Sequence, residues 1–345
     1  MKKNLIFMFL TFMIFCVALE AGLRVYFWVG GKVYPAPLQI EQKLGWMPPA
    51  FNKSISRLKG FDEVAVVSTV RDGFRVFGDP KTSRKKIWVI GDSFTQATAA
   101  SDGRTYYDYI AQHADVELFA FGCGGYGSLQ EYMILDRFVD EIRPDIILWQ
   151  FSGNDLVNND YEIESRSRVN NNRNIRPYWR GGRIEWLYPR EVGAFPPILT
   201  RYSYLIRFLA VKWNSIYPGH GTIEEKLVAG NLLLERSEAS TVQIMSMAKR
   251  RAGKAPVVAF LADDGWQMGD ANFKRIAEVA GITYIAGVPD MIRKTKAMGY
   301  KVDGMPHDSH WSPIGHRAAG QYLLKKLFEN QYLSAAEQNS NDKSQ

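Results

Sequence analysis

The chain has 345 residues, 46% of them hydrophobic and 23% charged. That balance belongs to a globular protein with a sizeable core and excludes a disordered chain. The net charge of +7 is carried by basic residues dispersed among acids, with no sustained Lys/Arg run and no nucleic-acid motif, so no nucleic-acid partner is expected. Two cysteines, Cys16 and Cys123, exclude a disulfide framework and a Cys-x-x-Cys metal knuckle.

In chain order, Lys2 and Lys3 precede an apolar run from Leu5 to Leu19 that only Thr11 interrupts. This is the pattern of a signal peptide or a membrane anchor with its lysines on the cytoplasmic side. Fifteen helical residues span about 22 Å, short of the roughly 30 Å hydrocarbon core. The span lengthens if the helix continues through Ala21, Gly22 and Leu23 toward Val25–Val29, with Glu20 and Arg24 reaching an interface. Cys16-Val17-Ala18 is the best small-residue cleavage site and a poor one, which favours an uncleaved anchor over residues 1–30. Either reading places the remainder outside the cytoplasm, on the periplasmic or extracellular face.

Residues 31–85 are broken up by Pro35, Pro37, Pro48, Pro49 and Pro80 and read as an extension packed on a domain, with short strands in Glu63–Val70. From Lys86 the rhythm changes. Ile87–Ile90, Val116–Phe121, Ile146–Phe151, Val257–Leu261 and Ile282–Ile285 are short apolar runs that predict buried strands. Between the second and third, Leu129, Tyr132, Met133, Phe138, Val139 and Ile142 recur at helical spacing, with Ser128 and Glu131 as a capping box. Further helices are expected near 231–251, 271–280, 289–298 and 313–329, the last started by Ser312 as cap and Pro313 in the first turn. Strands alternating with helices predict an α/β domain over 86–335, its parallel sheet covered on both faces. Residues 160–230 interrupt the alternation with Arg166, Arg168, Arg173, Arg176, Arg180 and Arg183 among Tyr178, Trp179, Trp186 and Tyr188, and read as an insertion. The polar tail 336–345 is expected to be disordered.

An open α/β sheet binds ligands beyond the carboxyl ends of its strands, and four segments fall there. Gly91-Asp92-Ser93-Phe94 follows the first strand, presenting Ser93; alone, those residue types also make ordinary turns. Gly122-Cys123-Gly124-Gly125-Tyr126-Gly127 follows the second, with glycines that let backbone N–H groups approach a ligand. Its spacing does not fit the dinucleotide pattern Gly-x-Gly-x-x-Gly, and a tight turn is the competing reading. Gly153-Asn154-Asp155 follows the third, where the Asn154 amide can donate to a developing oxyanion or simply stabilise a turn. His307-Asp308-Ser309-His310-Trp311 precedes the last helix, with Asp308 and His310 near enough to serve together as acid and base for Ser93. Three histidines (His307, His310, His316) suggest a metal, but there is no His-Glu-x-x-His and the local carboxylates are only Asp303 and Asp308, so no metal or cofactor is expected. His307 reads as a loop residue and His316 as a packing or hydrogen-bonding residue at the helix start.

Together the four segments resemble the SGNH (GDSL-type) hydrolase superfamily. The resemblance covers about half the chain, roughly 86–160 and 230–330. It implies a three-layer α/β/α flavodoxin-like sandwich with a mostly parallel sheet of about five strands, Ser93 as nucleophile, His310 as base and Asp308 as its acid. It also implies an oxyanion hole from Ser93, Gly125 and Asn154. Glu20 with Leu23-Arg24, and Asp72-Gly73-Phe74-Arg75, look like membrane-anchored bacterial members. Asp308-Ser309-His310 carries one residue between acid and base where many members have two. That form with Trp311 is similar to relatives that include exopolysaccharide O-acetyltransferases. Ala120 stands where many members carry an asparagine that is not catalytic. The expected function is ester hydrolysis of an acyl or acetyl ester, with an envelope carbohydrate as a candidate carrier. The alternatives are an O-acyltransferase using the same residues and a non-catalytic carbohydrate-binding envelope protein built on the aromatic-Arg insertion.

Overall fold

Five short apolar runs pair side by side in a computed structural model that describes residues 2–29, 39–50, 52–57, 64–167, 169–172, 174–189, 199, 203–206, 208–209, 223–227, 230–263, 269–305, 308–334 and 337. They are β6 (Lys85–Gly91), β7 (Val116–Gly122), β8 (Ile146–Phe151), β11 (Val257–Leu261) and β12 (Thr283–Tyr284), in the order β7-β6-β8-β11-β12. All four pairings among them are parallel. Counted along the chain this is the order 2-1-3-4-5 of flavodoxin-like sheets. A two-residue edge strand, β5 (Val76–Phe77), pairs antiparallel with β7 through Val76↔Ala120 and Phe77↔Phe119.

Successive strand residues point to opposite faces, and β6 shows the consequence. Ile87 and Val89 pack among residues of α3 (Tyr106–His113), α10 (Val288–Ala297) and α11 (Pro313–Glu329). Trp88 and Ile90 pack on the other face among residues of α4 (Ser128–Ile142), α8 (Leu232–Ala252) and α9 (Asp270–Val279). The sheet is therefore the middle of three layers. Ser312 caps α11 as expected, its Oγ accepting from the N–H groups of Ile314 (3.2 Å) and Gly315 (3.3 Å).

The capping box at α4 is corrected. Gly127 holds the cap position, and the Ser128 hydroxyl accepts from Asn159 Nδ2 at 2.9 Å. Glu131 turns inward, where its Oε2 accepts from Trp149 Nε1 at 2.6 Å. A buried indole donor claims that carboxyl, because an unmet donor in the core costs more than a cap gains, and Gln130 Oε1 accepts from the Gly127 N–H in its place.

Before the sheet come two small hairpins. β1 (Gln39–Glu41) pairs with β2 (Gly45–Met47), and β3 (Asn52–Arg57) with β4 (Val64–Thr69), which includes the strand read in Glu63–Val70. Within 160–230 the chain forms α6 (Tyr161–Arg166), a hairpin of β9 (Arg176–Arg180) and β10 (Arg183–Leu187), and α7 (Ile223–Lys226). The N-terminal run is α1 (Lys2–Val29), of which Lys3–Tyr26 is long and apolar enough to cross a membrane and is not buried by the rest of the protein. By length and composition it suits either an anchor or a signal sequence. The expectations for 31–38, 58–63, Arg168, Arg173, most of 190–222, His307 and the tail 338–345 lie outside the described residues, as does the side chain of Asp308.

Candidate active site

Strand β6 ends at Gly91 and the chain turns at once into α2 (Ser93–Gln96). Asp92 makes that turn possible: its Oδ1 accepts from Phe94 N at 3.0 Å, capping the short helix. Ser93 is thereby presented half-buried at the carboxyl edge of the sheet. Gly122, paired with Gly91 across β6 and β7, has to be glycine. A Cβ there would sit 2.2 Å from Gln96 N and 2.4 Å from the Thr95 carbonyl carbon. Behind α2, the buried Gln150 Oε1 accepts from Asp92 N (3.1 Å), Thr95 N (3.2 Å) and Thr95 Oγ1 (2.9 Å).

The fourth segment arrives from the far end of the chain. β14 (Asp308–Trp311) pairs with β13 (Asp303–Met305), and His310 Nε2 lies 2.6 Å from Ser93 Oγ. The His310 ring stacks on Phe94, centroids 4.9 Å apart at 29°. Trp311, 2% exposed, packs edge-on against Phe94, Tyr106 and His316 and so holds the strand that carries His310. His316 is a packing residue, stacked at 6° on Tyr106. Burial, followed by the charges of Arg75 and His310, pushes its pKa down to about 3, so it stays neutral.

The second segment approaches Ser93 through Gly124, whose Cβ position would lie 3.9 Å from Ser93 Cβ. Gly124 N donates to Gln96 Oε1 (2.9 Å), and Gly124 O accepts from Trp46 Nε1 (3.0 Å). In a trans peptide the C=O and the next N–H point in opposite directions, so Trp46 turns the Gly125 N–H away from itself. Gly125 has φ +74°, a conformation that other residues adopt only under strain. Asn172 covers it and donates from Nδ2 to Gly125 O at 3.1 Å.

In the third segment Ser152 Oγ bridges Asp92 Oδ2 (2.5 Å) and Asn154 Oδ1 (2.6 Å). Asn154 Nδ2 donates to Asn158 Oδ1 at 3.1 Å, and the amide has a second N–H to offer a ligand. Beneath lie three fully buried carboxyl groups, Asp92, Glu131 and Asp155. Burial raises the pKa of Glu131 well above the carboxylate range, with the Asp92 charge adding to it, and raises Asp155 likewise, helped by Glu131 and Asp92.

The structure thus brings Ser93, His310, the Gly124–Gly125 turn and Asn154 to one edge of the sheet. Asp308 is placed by its backbone, two residues before His310 on the same strand. Sequence reasoning missed Trp46, Gln96, Gln150, Ser152, Asn158 and Asn172. Gln150 carried a readable signal, a polar residue inside the apolar run Ile146–Phe151. Trp46 carried none, being 78 positions from the carbonyl it binds.

Residues 87–184 match the model of the GDSL-like lipase/acylhydrolase family. No curated protein matches the chain. Similar solved structures include a lipase/acylhydrolase from Enterococcus faecalis, 12% identical with a TM-score of 0.39, over 70% of this chain and 95% of the other. A psychrotrophic esterase from Pseudoalteromonas sp. is 11% identical with a TM-score of 0.40, over 72% of this chain and all of the other. An acetylxylan esterase from Geobacillus stearothermophilus is 13% identical with a TM-score of 0.38, over 71% and 94%. The segment running from β6 into the β9–β10 hairpin, residues 87–184, is thus similar to GDSL-like lipases and acylhydrolases.

Proposed function

We propose that Ser93 is the nucleophile of this hydrolase and works through an acyl-enzyme. The 2.6 Å approach of His310 Nε2 to Ser93 Oγ carries the reading, being the distance at which a base takes a hydroxyl proton. His310 removes that proton as Oγ attacks the ester carbonyl. The alkoxide then leaves with the proton from His310, and Ser93 is left acylated. Water attacks the acyl group, gives its proton to His310, and the acid departs as Ser93 regains its hydrogen. Ser93 N–H, Gly125 N–H and the Asn154 amide hold the oxyanion. Asp308 orients the imidazole; positions two apart on a strand share a face, which fits the one-residue spacing before His310.

The substrate proposed is an acyl or acetyl ester on an envelope carbohydrate, met outside the cytoplasm by a protein that α1 anchors to the membrane. A cleft of about 630 Å³ lined by Tyr161, Trp179, Arg180, Arg183, Glu162 and Arg236 supports a carbohydrate carrier, since aromatic faces and charged hydrogen-bonding groups suit sugar hydroxyls. An ester panel run on wild type and Ser93→Ala, with and without glycan acceptors, tests the reading. Free acetate from wild type alone is expected. Hydrolysis by Ser93→Ala at the wild-type rate would refute it, and acetylated sugar in place of acetate would make the protein an O-acyltransferase.

A further inference from the structure

Glu20 lies inside the apolar stretch Lys3–Tyr26 of α1, where a carboxylate needs partners if the helix enters a bilayer. It has them in the insertion. Glu20 Oε2 accepts from Ser203 Oγ (2.9 Å) and Leu205 N (2.8 Å), and Oε1 from Tyr204 N (3.1 Å) and Arg24 Nε (2.8 Å). The Arg24 guanidinium sits 4.9 Å over the Tyr204 ring. Glu20 is six residues before Tyr26, about 9 Å down the helix axis. Whatever depth α1 occupies, residues 203–205 must reach the level of Glu20.

The residues beside that dock are apolar and turned outward: Leu199, Phe208 and Leu209 are 46%, 39% and 45% exposed. Their surroundings in sequence, Pro196 to Trp213, mix apolar residues with Arg201, Arg207, Lys212, Tyr202, Tyr204 and Trp213. Aromatic rings and basic groups around an apolar stripe are the composition of a segment lying at the headgroup boundary.

We infer that the segment around residues 199–209 is a second, shallow membrane contact, docked on α1 through Glu20 and Arg24 and seated in the headgroup region of the bilayer that holds α1. Leu199, Phe208 and Leu209 enter the acyl boundary. α1 then serves as a retained structural element, because the body of the protein binds its carboxylate. The inference rests on the anchor role proposed for α1 and is independent of the role given to Ser93.

The test uses the full chain in a Cys16→Ala background, since Cys123 is buried. A nitroxide is placed at Leu209→Cys or, as a control, at exposed Lys254→Cys. The protein is reconstituted into phosphatidylethanolamine/phosphatidylglycerol vesicles, and power saturation compares access of oxygen with that of a nickel chelate. The expected result is a severalfold larger oxygen-to-nickel ratio at 209 than at 254, falling toward the control when Glu20→Ala is added. Ester turnover in each variant reports that the protein is folded. Nickel access at 209 equal to that at 254, shielding from both reagents, or a ratio unmoved by Glu20→Ala would overturn the inference. So would N-terminal sequencing of the vesicle-competent protein that shows α1 removed.

Discussion

At Ser93 the local chemistry depends on neighbours that are themselves fixed by buried polar contacts, so single substitutions there separate chemistry from folding. Asn154→Ala removes the proposed oxyanion donor and is expected to lower kcat by about 10²–10³ with KM little changed; steady-state kinetics on a soluble ester checks this. Trp46→Phe removes the indole donor to Gly124 O while keeping a ring in the core. It should lower kcat and leave the melting temperature nearly unchanged if the carbonyl's partner orients the Gly125 N–H. His316 makes a different prediction. It is neutral in the folded state, with a pKa of about 3, against an ordinary 6.5. Below pH 6.5 the unfolded chain binds a proton that the folded protein refuses. Stability is therefore greatest above pH 6.5 and is lost as pH falls toward 3, at about 1.4 kcal/mol per pH unit. His316→Phe keeps the stack on Tyr106 and should flatten that slope in denaturant titrations across pH 4–6 by the same amount.

Among the elements, the β9–β10 hairpin is held to the domain by a buried pair. Arg176 Nη1 meets Glu164 Oε2 at 3.0 Å with side chains 1% and 0% exposed, and Tyr178 OH donates to Glu164 Oε2 at 2.9 Å. Arg176 also donates to Gln130 Oε1 and lies 5.1 Å over the Trp46 ring. Removing one member leaves an uncompensated charge, so Arg176→Ala is expected to cost about 3–5 kcal/mol; equilibrium denaturation checks it. Arg176 illustrates where the sequence could be read and where it could not. It stood out only as one of a row of arginines, whereas its partner Glu164 lies in a different element. The strands, by contrast, were legible because an apolar run of β-formers bounded by glycine has few other uses. The start of the last helix at Pro313 followed from Ser312-Pro313, while the α4 start did not, since nothing local shows that Trp149 claims Glu131. The segments holding Ser93, Gly125, Asn154 and His310 were legible as four weak patterns, three at successive strand ends and one before the last helix. Their supports Trp46, Gln96 and Asn172 were not, because tertiary contacts of long sequence separation leave no periodic trace.

On the scale of the whole molecule, the 2-1-3-4-5 sheet gathers residues 217 positions apart, Ser93 and His310, into one hydrogen bond. α1 and the segment at 203–205 tie that sheet's insertion to the N-terminal helix. The measurement that bears most directly on the central claim is labelling of the intact protein with a fluorophosphonate, followed by mass spectrometry of its peptides. The account predicts one phosphonyl adduct, on Ser93, formed far more slowly in His310→Ala and absent from Ser93→Ala along with hydrolysis. An adduct on another serine, with hydrolysis surviving in Ser93→Ala, would contradict it.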